Sequence, residues 1–361
     1  NNSDWWNYGG ITRDVNLVEV PPTFIQDYFI QLKKGEKNII AGNIKFSGPV
    51  KEDQVIVEIP ELKLKKLIPL KGQNFVSFNW EIKNLKLWSP ETPKIYAVKI
   101  VSSNEMLEDK IGFRTIETKE SQLLLNGNPV FLRGICVHEE IPQEIRRAKS
   151  KVDALQLLKW VKELNGNLAR LAHYPHNEYM LRVADSLGIL VWSEIPVYWT
   201  IKFESPEVLT KAKLQLNEMI NRDKNRASII IWSVGNETPV SDARNDFLNS
   251  LVTEVRRMDA TRLVSAALEV HGSDKDAYLS IVDDPMGNLL DLISINEYVG
   301  WYWGLPSYCR KRKWEIKFNK PFFISETGAE ALGGFYGDSL TRWTEEFQEW
   351  YFKEQIGMMK R

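Results

Sequence analysis

The 361-residue sequence predicts a multidomain β plus α/β protein, an antiparallel β-sandwich followed by a barrel of parallel strands and helices. Three observations carry that expectation. The chain is longer than a single hydrophobic core usually organises. From about Val15 to Thr118, short alternating runs recur between turn clusters, which is the signature of an antiparallel sandwich. Beyond Pro129, apolar strands alternate with amphipathic segments, which is the rhythm of a parallel sheet.

Taken in order, the chain opens with an aromatic and Gly-rich piece, Asp4 to Arg13 (DWWNYGGITR), that reads as a linker or the tail of a preceding unit. Without an initiator Met or an apolar leader, the sequence reads as one whose beginning has been removed. The sandwich is assigned to residues 15–118, with strands such as Tyr28 to Leu32, Val55 to Ile59, Phe75 to Trp80 and Tyr96 to Val101. Turn clusters separate them: Lys34 and Gly35; Ser47, Gly48 and Pro49; Ser89 and Pro90; Ser102, Ser103 and Asn104. No chemistry is visible there, and the charged positions read as a solvated face.

Residues 119–361 are assigned to the barrel. Asn126 and Gly127 suit a hairpin turn, after which strands are expected at Val130 to Val137, Leu168 to Ala172, Leu190 to Ile195, Ile229 to Val234, Arg262 to Ala267, Leu292 to Asn296 and Phe322 to Ser325. Helices are expected at Val152 to Leu164, Asn177 to Leu187, Pro206 to Arg222, Ala243 to Met258, near Tyr308 to Lys317, and at Ser339 to Met359. So many repeated units favour a (β/α)8 barrel of the TIM type over an open sheet. An eighth strand is not found, so the barrel is expected to be incomplete at its C-terminal end. Open edges on the first and seventh strands would favour self-association, and a homo-oligomer is an open expectation.

Composition narrows the function. Lys plus Arg number 47 against 48 Asp plus Glu, so neither nucleic acid nor an anionic membrane is an expected partner. No apolar run is long enough to span a bilayer. Cys136 and Cys309 are too few for a disulfide framework or a thiolate metal site, and the compartment stays open. The 13 tryptophans suit the apolar faces of sugars, although most tryptophans in most proteins are core.

Two buried-type strands end abruptly in carboxylates: SIIIWSVGNE in Glu237 and PFFISETG in Glu326. Polar residues at the carboxyl ends of parallel barrel strands are where such folds build chemistry. Either Glu alone has an ordinary explanation, as a helix cap or the partner of an arginine. Both together, with Asn236 beside one, argue for a pair that works as acid and base. Other strand ends agree: His138 and Glu139; Arg170, His173, Tyr174 and His176; Glu194, Tyr198 and Trp199; Asn296, Tyr298, Trp301 and Tyr302. His138, His173 and His176 as metal ligands were weighed and set aside, because a turn broken by proline (HYPH) does not match metal-ligand spacings. No metal and no cofactor are expected.

The segments NGNPVFLRGICVHEE, ARLAHYPHN, LVWSEIP, IIIWSVGNE, ISINEYVGWY and FFISETGAE, in this order, resemble glycoside hydrolase family 2, the family of β-galactosidases, β-glucuronidases and β-mannosidases. Upstream, LKLWSPETPKIYAV and IGFRTIE are similar to that family's immunoglobulin-like sandwich. The resemblance covers essentially the whole chain. It implies a preceding sugar-binding jelly roll, of which residues 1–14 are the tail, and an eighth barrel strand. It implies hydrolysis of terminal β-linked sugars with retention, Glu237 acting as acid and then base and Glu326 as nucleophile. Arg170 and Tyr298 would hold Glu326 ionised, Asn236 would bond the sugar 2-hydroxyl, and His138 and His173 would line the pocket. Trp301 would stack on the sugar or pack beneath it. The expected partner is an oligosaccharide or glycoside substrate. FFISETGAEALGGFYGD and NEYVGWY look most similar to the β-glucuronidase branch, while the residues that read the sugar carboxylate there fall beyond this sequence. A β-galactosidase therefore stays open beside it, followed by a β-mannosidase and a noncatalytic carbohydrate-binding remnant.

Overall fold

A computed structural model describes residues 4–48, 54–103 and 105–361. Pro49 and Asn104, two of the expected turn residues, lie outside these, as do Asn1, Asn2 and Ser3. The sandwich strands, in chain order, are β1 (Ile25–Leu32), β2 (Ile39–Phe46), β3 (Gln54–Ile59), β4 (Leu64–Pro69), β5 (Phe75–Glu81), β6 (Tyr96–Val101) and β7 (Met106–Ile111). One sheet runs β1-β2-β5 and the other β4-β3-β6-β7, all antiparallel. The period of two decides which face is inside: Val55, Val57 and Ile59 of β3 and Tyr96, Val98 and Ile100 of β6 turn inward against Ile30, Ile40 and Ile44 of the opposing sheet.

Seven parallel strands form the second unit, hydrogen-bonded in chain order: Gly134–Val137, Leu168–Leu171, Leu190–Glu194, Ile229–Asn236, Leu263–Leu268, Ile293–Asn296 and Phe322–Glu326. They are referred to below as the first to seventh barrel strands. Because every neighbour is parallel, all seven carboxyl ends point to one side. The first strand begins at Gly134 rather than Val130. A Cβ on Gly134 would lie 2.7 Å from the Leu168 carbonyl, so only glycine lets the two strands approach there. Between the strands lie α1 (Lys151–Glu163), α2 (Glu178–Leu187), α3 (Pro206–Asp223) and α4 (Asp242–Met258), and α5 (Glu345–Met359) follows the last strand. Ser150, Asn177, Ser205, Ser241 and Thr344 cap the five in turn through their side chains. Among the described residues, no helix is long and apolar enough to cross a membrane.

The other end of the barrel is stoppered. A hairpin, Ile116–Lys119 with Gln122–Leu125, sets Ile116, Leu123 and Leu125 against Leu168, Leu190 and Leu263, which open or nearly open their strands. Trp88 joins that cluster fully buried and donates from Nε1 to the Asp185 carbonyl at 2.8 Å. Arg114, equally buried, donates to the carbonyls of Ala227 (3.0 Å), Thr261 (3.1 Å) and Ile229. Asn225 accepts from the Ile30 amide at 2.9 Å and donates to the Tyr28 carbonyl at 3.0 Å, so a barrel side chain satisfies the free edge of β1.

Two expectations are corrected. The helix expected near Tyr308 to Lys317 is a short 3-10 turn, Pro306–Arg310, followed by a strand, Lys313–Ile316, parallel to Leu279–Val282. Trp314 and Ile316, two positions apart, both turn to the apolar core, a periodicity of two that overrides the helical reading. The last helix starts at Glu345 and not Ser339, because Asp338 accepts from the amides of Leu340 and Thr341 in a local turn that precedes the Thr344 cap. The first and seventh barrel strands are the ends of the hydrogen-bonded order. Between them, the Cys136 thiol donates to the Ser325 carbonyl at 3.4 Å.

Candidate active site

At the carboxyl ends, the seventh strand presents Glu326, and three neighbours converge on it. Arg170 Nη1, from the second strand, donates to Oε2 at 3.0 Å. The Tyr298 hydroxyl, just past the sixth strand, donates to Oε1. His173 Nε2 stands 3.7 Å from Oε2. Burial and the adjacent carboxylate push the Tyr298 phenol well above its usual range, so it remains a donor.

Arg170 is itself buried and shared. Its guanidinium meets Glu194 from Nη2 at 3.2 Å, Asn236 Oδ1 at 2.6 Å and the Ser325 carbonyl at 3.3 Å. Burial works against its charge, but Glu194 and Glu326 more than offset this and hold the guanidinium protonated. Burial also works against ionisation of Glu194, yet Arg170 and His173 bring its carboxyl down to about 2. His173 Nδ1 lies 2.6 Å from Glu194 Oε1, and Trp192 Nε1 donates to Oε2 at 2.7 Å. Glu194 is thus a buried anion with its hydrogen bonds filled, anchoring the two cationic or imidazole groups that face Glu326. The sequence reading placed it at a strand end but gave it no role. Its signal was present, since LVWSE is an apolar strand that ends in a carboxylate just as the other two segments do.

Glu237 sits one residue past the fourth strand with φ of 48°, in the left-handed region. That strand is buried throughout, and its register against the fifth slips between Ser233 and Asn236, so Asn236 pairs with Ala267. Such an irregularity re-aims the side chains beyond it. Trp199 Nε1 donates to Glu237 Oε2 at 3.0 Å, and Asn236 Nδ2 reaches the same oxygen at 3.5 Å. Asn236 also accepts from Asn296 at 3.2 Å, which ties it to the sixth strand as well as to Arg170.

His138 meets His173 edge-on, with ring centroids 5.7 Å apart. Burial first and then His173 lower its imidazole to about 4, so it is neutral near pH 7. Trp301 is 7% exposed and packs with Ala329, Phe347 and Tyr351. The more exposed ring beside Tyr298 is Tyr302. The seven other expected site residues gather at one barrel mouth. Among the described residues, no three His, Cys, Asp or Glu side chains are grouped to hold a metal ion.

The opening segment, read as a linker, lies across this mouth. The Trp5 ring is 5.9 Å from His173, 5.5 Å from Tyr174 and 5.3 Å from Tyr198 by centroid. Asp4 accepts from the Tyr198 hydroxyl at 2.7 Å, and Arg13 reaches the buried Glu139 at 3.0 Å. Its density of aromatic residues was the available signal.

Two family models match along the chain. Residues 24–114 match that of "Glycosyl hydrolases family 2", and residues 116–359 that of "Glycosyl hydrolases family 2, TIM barrel domain". The chain belongs to glycosyl hydrolase family 2. Family-2 relatives include a β-glucuronidase of Paenibacillus borealis, 29% identical across 96% of this chain and 60% of that protein. The β-glucuronidase of Homo sapiens is 26% identical across 96% of this chain and 55% of its own length. Among solved structures, a GH2 β-galacturonidase from Eisenbergiella tayi bound to galacturonate matches with TM-score 0.80 and 26% identity, covering 95% of this chain and 63% of that one. The β-D-glucuronidase of Dictyoglomus thermophilum matches with TM-score 0.75 and 26% identity, over 94% and 60%. The chain therefore spans about 60% of the first of these relatives. Over the matched share, the two solved structures superpose on its sandwich and its nearly closed barrel.

Proposed function

We propose that this chain carries the catalytic centre of a retaining exo-β-glycosidase that removes terminal β-linked uronic acids. The observation that carries the reading is the arrangement around Glu326: a carboxylate at a strand end, held by a buried guanidinium and a phenol, with a second carboxylate on a strand of the same sheet. A nucleophile must stay charged and aimed, and Arg170 with Tyr298 supplies both conditions. In the first step, an oxygen of Glu326 bonds to the anomeric carbon while the bond to the leaving oxygen breaks and takes a proton from Glu237. In the second step, Glu237 accepts a proton from water, the hydroxide adds to the anomeric carbon, and the bond to Glu326 breaks. Retention requires about 5 Å between the two carboxyl groups. Asn236 serves the sugar 2-hydroxyl, His138 and His173 line the pocket, and the neutral imidazole of His138 suits a hydroxyl partner.

The names of the relatives, glucuronidases and a galacturonidase, favour an acidic sugar over galactose or mannose. A panel of nitrophenyl β-glucuronide, β-galacturonide, β-galactoside and β-mannoside tests this with the full-length protein. Turnover of a uronide, with the first-formed sugar β by NMR, is expected. An α product would remove the double displacement, and turnover confined to a neutral sugar would remove the uronide.

A further inference from the structure

We infer that Trp199 is a positioning residue for the acid, and that its indole decides which oxygen of Glu237 carries the transferable proton. This rests on Glu237 being the acid. Three contacts fix Trp199. Its N–H meets Glu237 Oε2 at 3.0 Å, its ring stacks on Tyr198 at 4.5 Å and 30°, and its backbone amide donates to the Asn236 carbonyl at 3.0 Å. Tyr198 is in turn held by Asp4 at 2.7 Å and bridges to Asn236 through its backbone.

The backbone of Trp199 lies at φ of 51°, left-handed, a conformation that has a cost for an ordinary L residue. The ring is 38% exposed, so apolar burial does not account for that cost. What the conformation accomplishes is to aim Nε1 at the carboxyl group. Indole N–H donates and never accepts, and it does not release its proton. With Trp199 Nε1 and Asn236 Nδ2 both directed at Oε2, a proton on that oxygen would face two donors. The proton is therefore confined to Oε1, the oxygen left to meet the leaving group. A cation in the same place would oppose each reprotonation of the acid; a neutral donor fixes direction without that opposition.

The test uses the full-length protein with a series of aryl β-glycosides of its own sugar, from dinitrophenyl to phenyl, comparing the parent with Trp199→Phe, Trp199→Ala and Glu237→Gln. Trp199→Phe keeps the stack and the same backbone demand but loses the N–H. It is expected to leave kcat/KM for the dinitrophenyl substrate within about twofold and to lower it roughly tenfold for phenyl, since only poor leaving groups need a directed proton. A benzothienyl-alanine at 199, which replaces only the N–H by sulfur, should behave the same way and guards against misfolding of the phenylalanine variant. A uniform loss across the series, or none, in both replacements overturns the inference. A rise in KM in Trp199→Ala alone, with Trp199→Phe like the parent, would make the ring a leaving-group wall and likewise overturn it. If Glu237→Gln itself shows no leaving-group dependence, the acid assignment fails first, a result distinct from a flat Trp199 series beside a steep Glu237→Gln one.

Discussion

The two carboxylates at the barrel mouth are held by opposite means. Glu326 is met by a buried guanidinium that is itself locked to Glu194, Asn236 and the Ser325 carbonyl. Among the described residues, Glu237 is met by neutral donors, the half-exposed indole of Trp199 and the amide of Asn236. The difference matches two tasks. A group that must stay charged is served by a permanent cation in a rigid, desolvated frame. A group that must gain and lose a proton in each turnover is better served by donors that fix direction and add no charge.

The largest expected effect falls on the charged side. Glu326→Gln should lower kcat on the uronide substrate by roughly 10⁴-fold or more, whatever the leaving group. Steady-state rates on dinitrophenyl and phenyl substrates decide this, and an appreciable rate on either removes Glu326 as nucleophile. Next comes Arg170→Met, which leaves Glu194 buried without its cation. Breaking a buried pair this way costs about 3–5 kcal/mol, so the melting temperature should fall together with kcat. A variant as stable as the parent would show that Glu194 is not ionised in the folded protein. Glu237→Gln should cost roughly 10²- to 10⁴-fold on phenyl substrates and only a few-fold on dinitrophenyl ones. Added azide should then yield a β-glycosyl azide, and no such product would place the general base elsewhere.

Acid sensitivity should also concentrate on the nucleophile's side. His138 and His176 ionise near 6.5 when unfolded, but burial lowers them to about 4 and about 3 in the folded chain. As the pH falls below 6.5, the unfolded chain takes up these protons first, and stability is lost down to about 4 for His138 and about 3 for His176. By pH 5 each histidine accounts for about 2 kcal/mol. Denaturant melts at pH 7 and pH 5 measure this, and in His176→Asn the difference should shrink; an unchanged difference assigns the sensitivity elsewhere. The smallest effect belongs to the far sandwich. Lys66→Ala, exposed on β4, should change stability by less than about 0.5 kcal/mol and leave kcat alone.

How much of this was legible in the sequence follows from where each interaction is written. The strand ends were legible because an apolar run that stops abruptly in polar residues marks the end of a parallel strand, in the fully buried WSVGNE and the half-buried ISE alike. Arg170 and Tyr298 were assigned to Glu326 through the family resemblance, and parallel strand order agrees, since it puts their ends on one side. Glu194 was visible as a residue but not as an anchor, since its role depends on a side chain of the neighbouring strand, 24 residues earlier, pointing at it. Trp199 was visible at a strand end but its contact with Glu237 was not, because that contact depends on a left-handed backbone angle, and a tryptophan carries no signal for one. The strand Lys313–Ile316 was read as helix because four residues hold too few periods to distinguish the two.

Arg114 gives the molecule an order of assembly. Its guanidinium is the hydrogen-bond donor for three carbonyls, of Ala227, Ile229 and Thr261, that lie more than a hundred residues further along the chain. During synthesis, the sandwich and its arginine leave the ribosome well before the fourth and fifth barrel strands exist. Those strands therefore emerge beside a surface that already holds the donor their lower ends need, together with the Trp88 ring that fills the space below them. A barrel begun without the sandwich would lack that donor, keeping only Arg262 Nε at the Ile229 carbonyl, and would leave the Trp88 cluster open to water, so the sandwich offers a template for the lower end of the barrel.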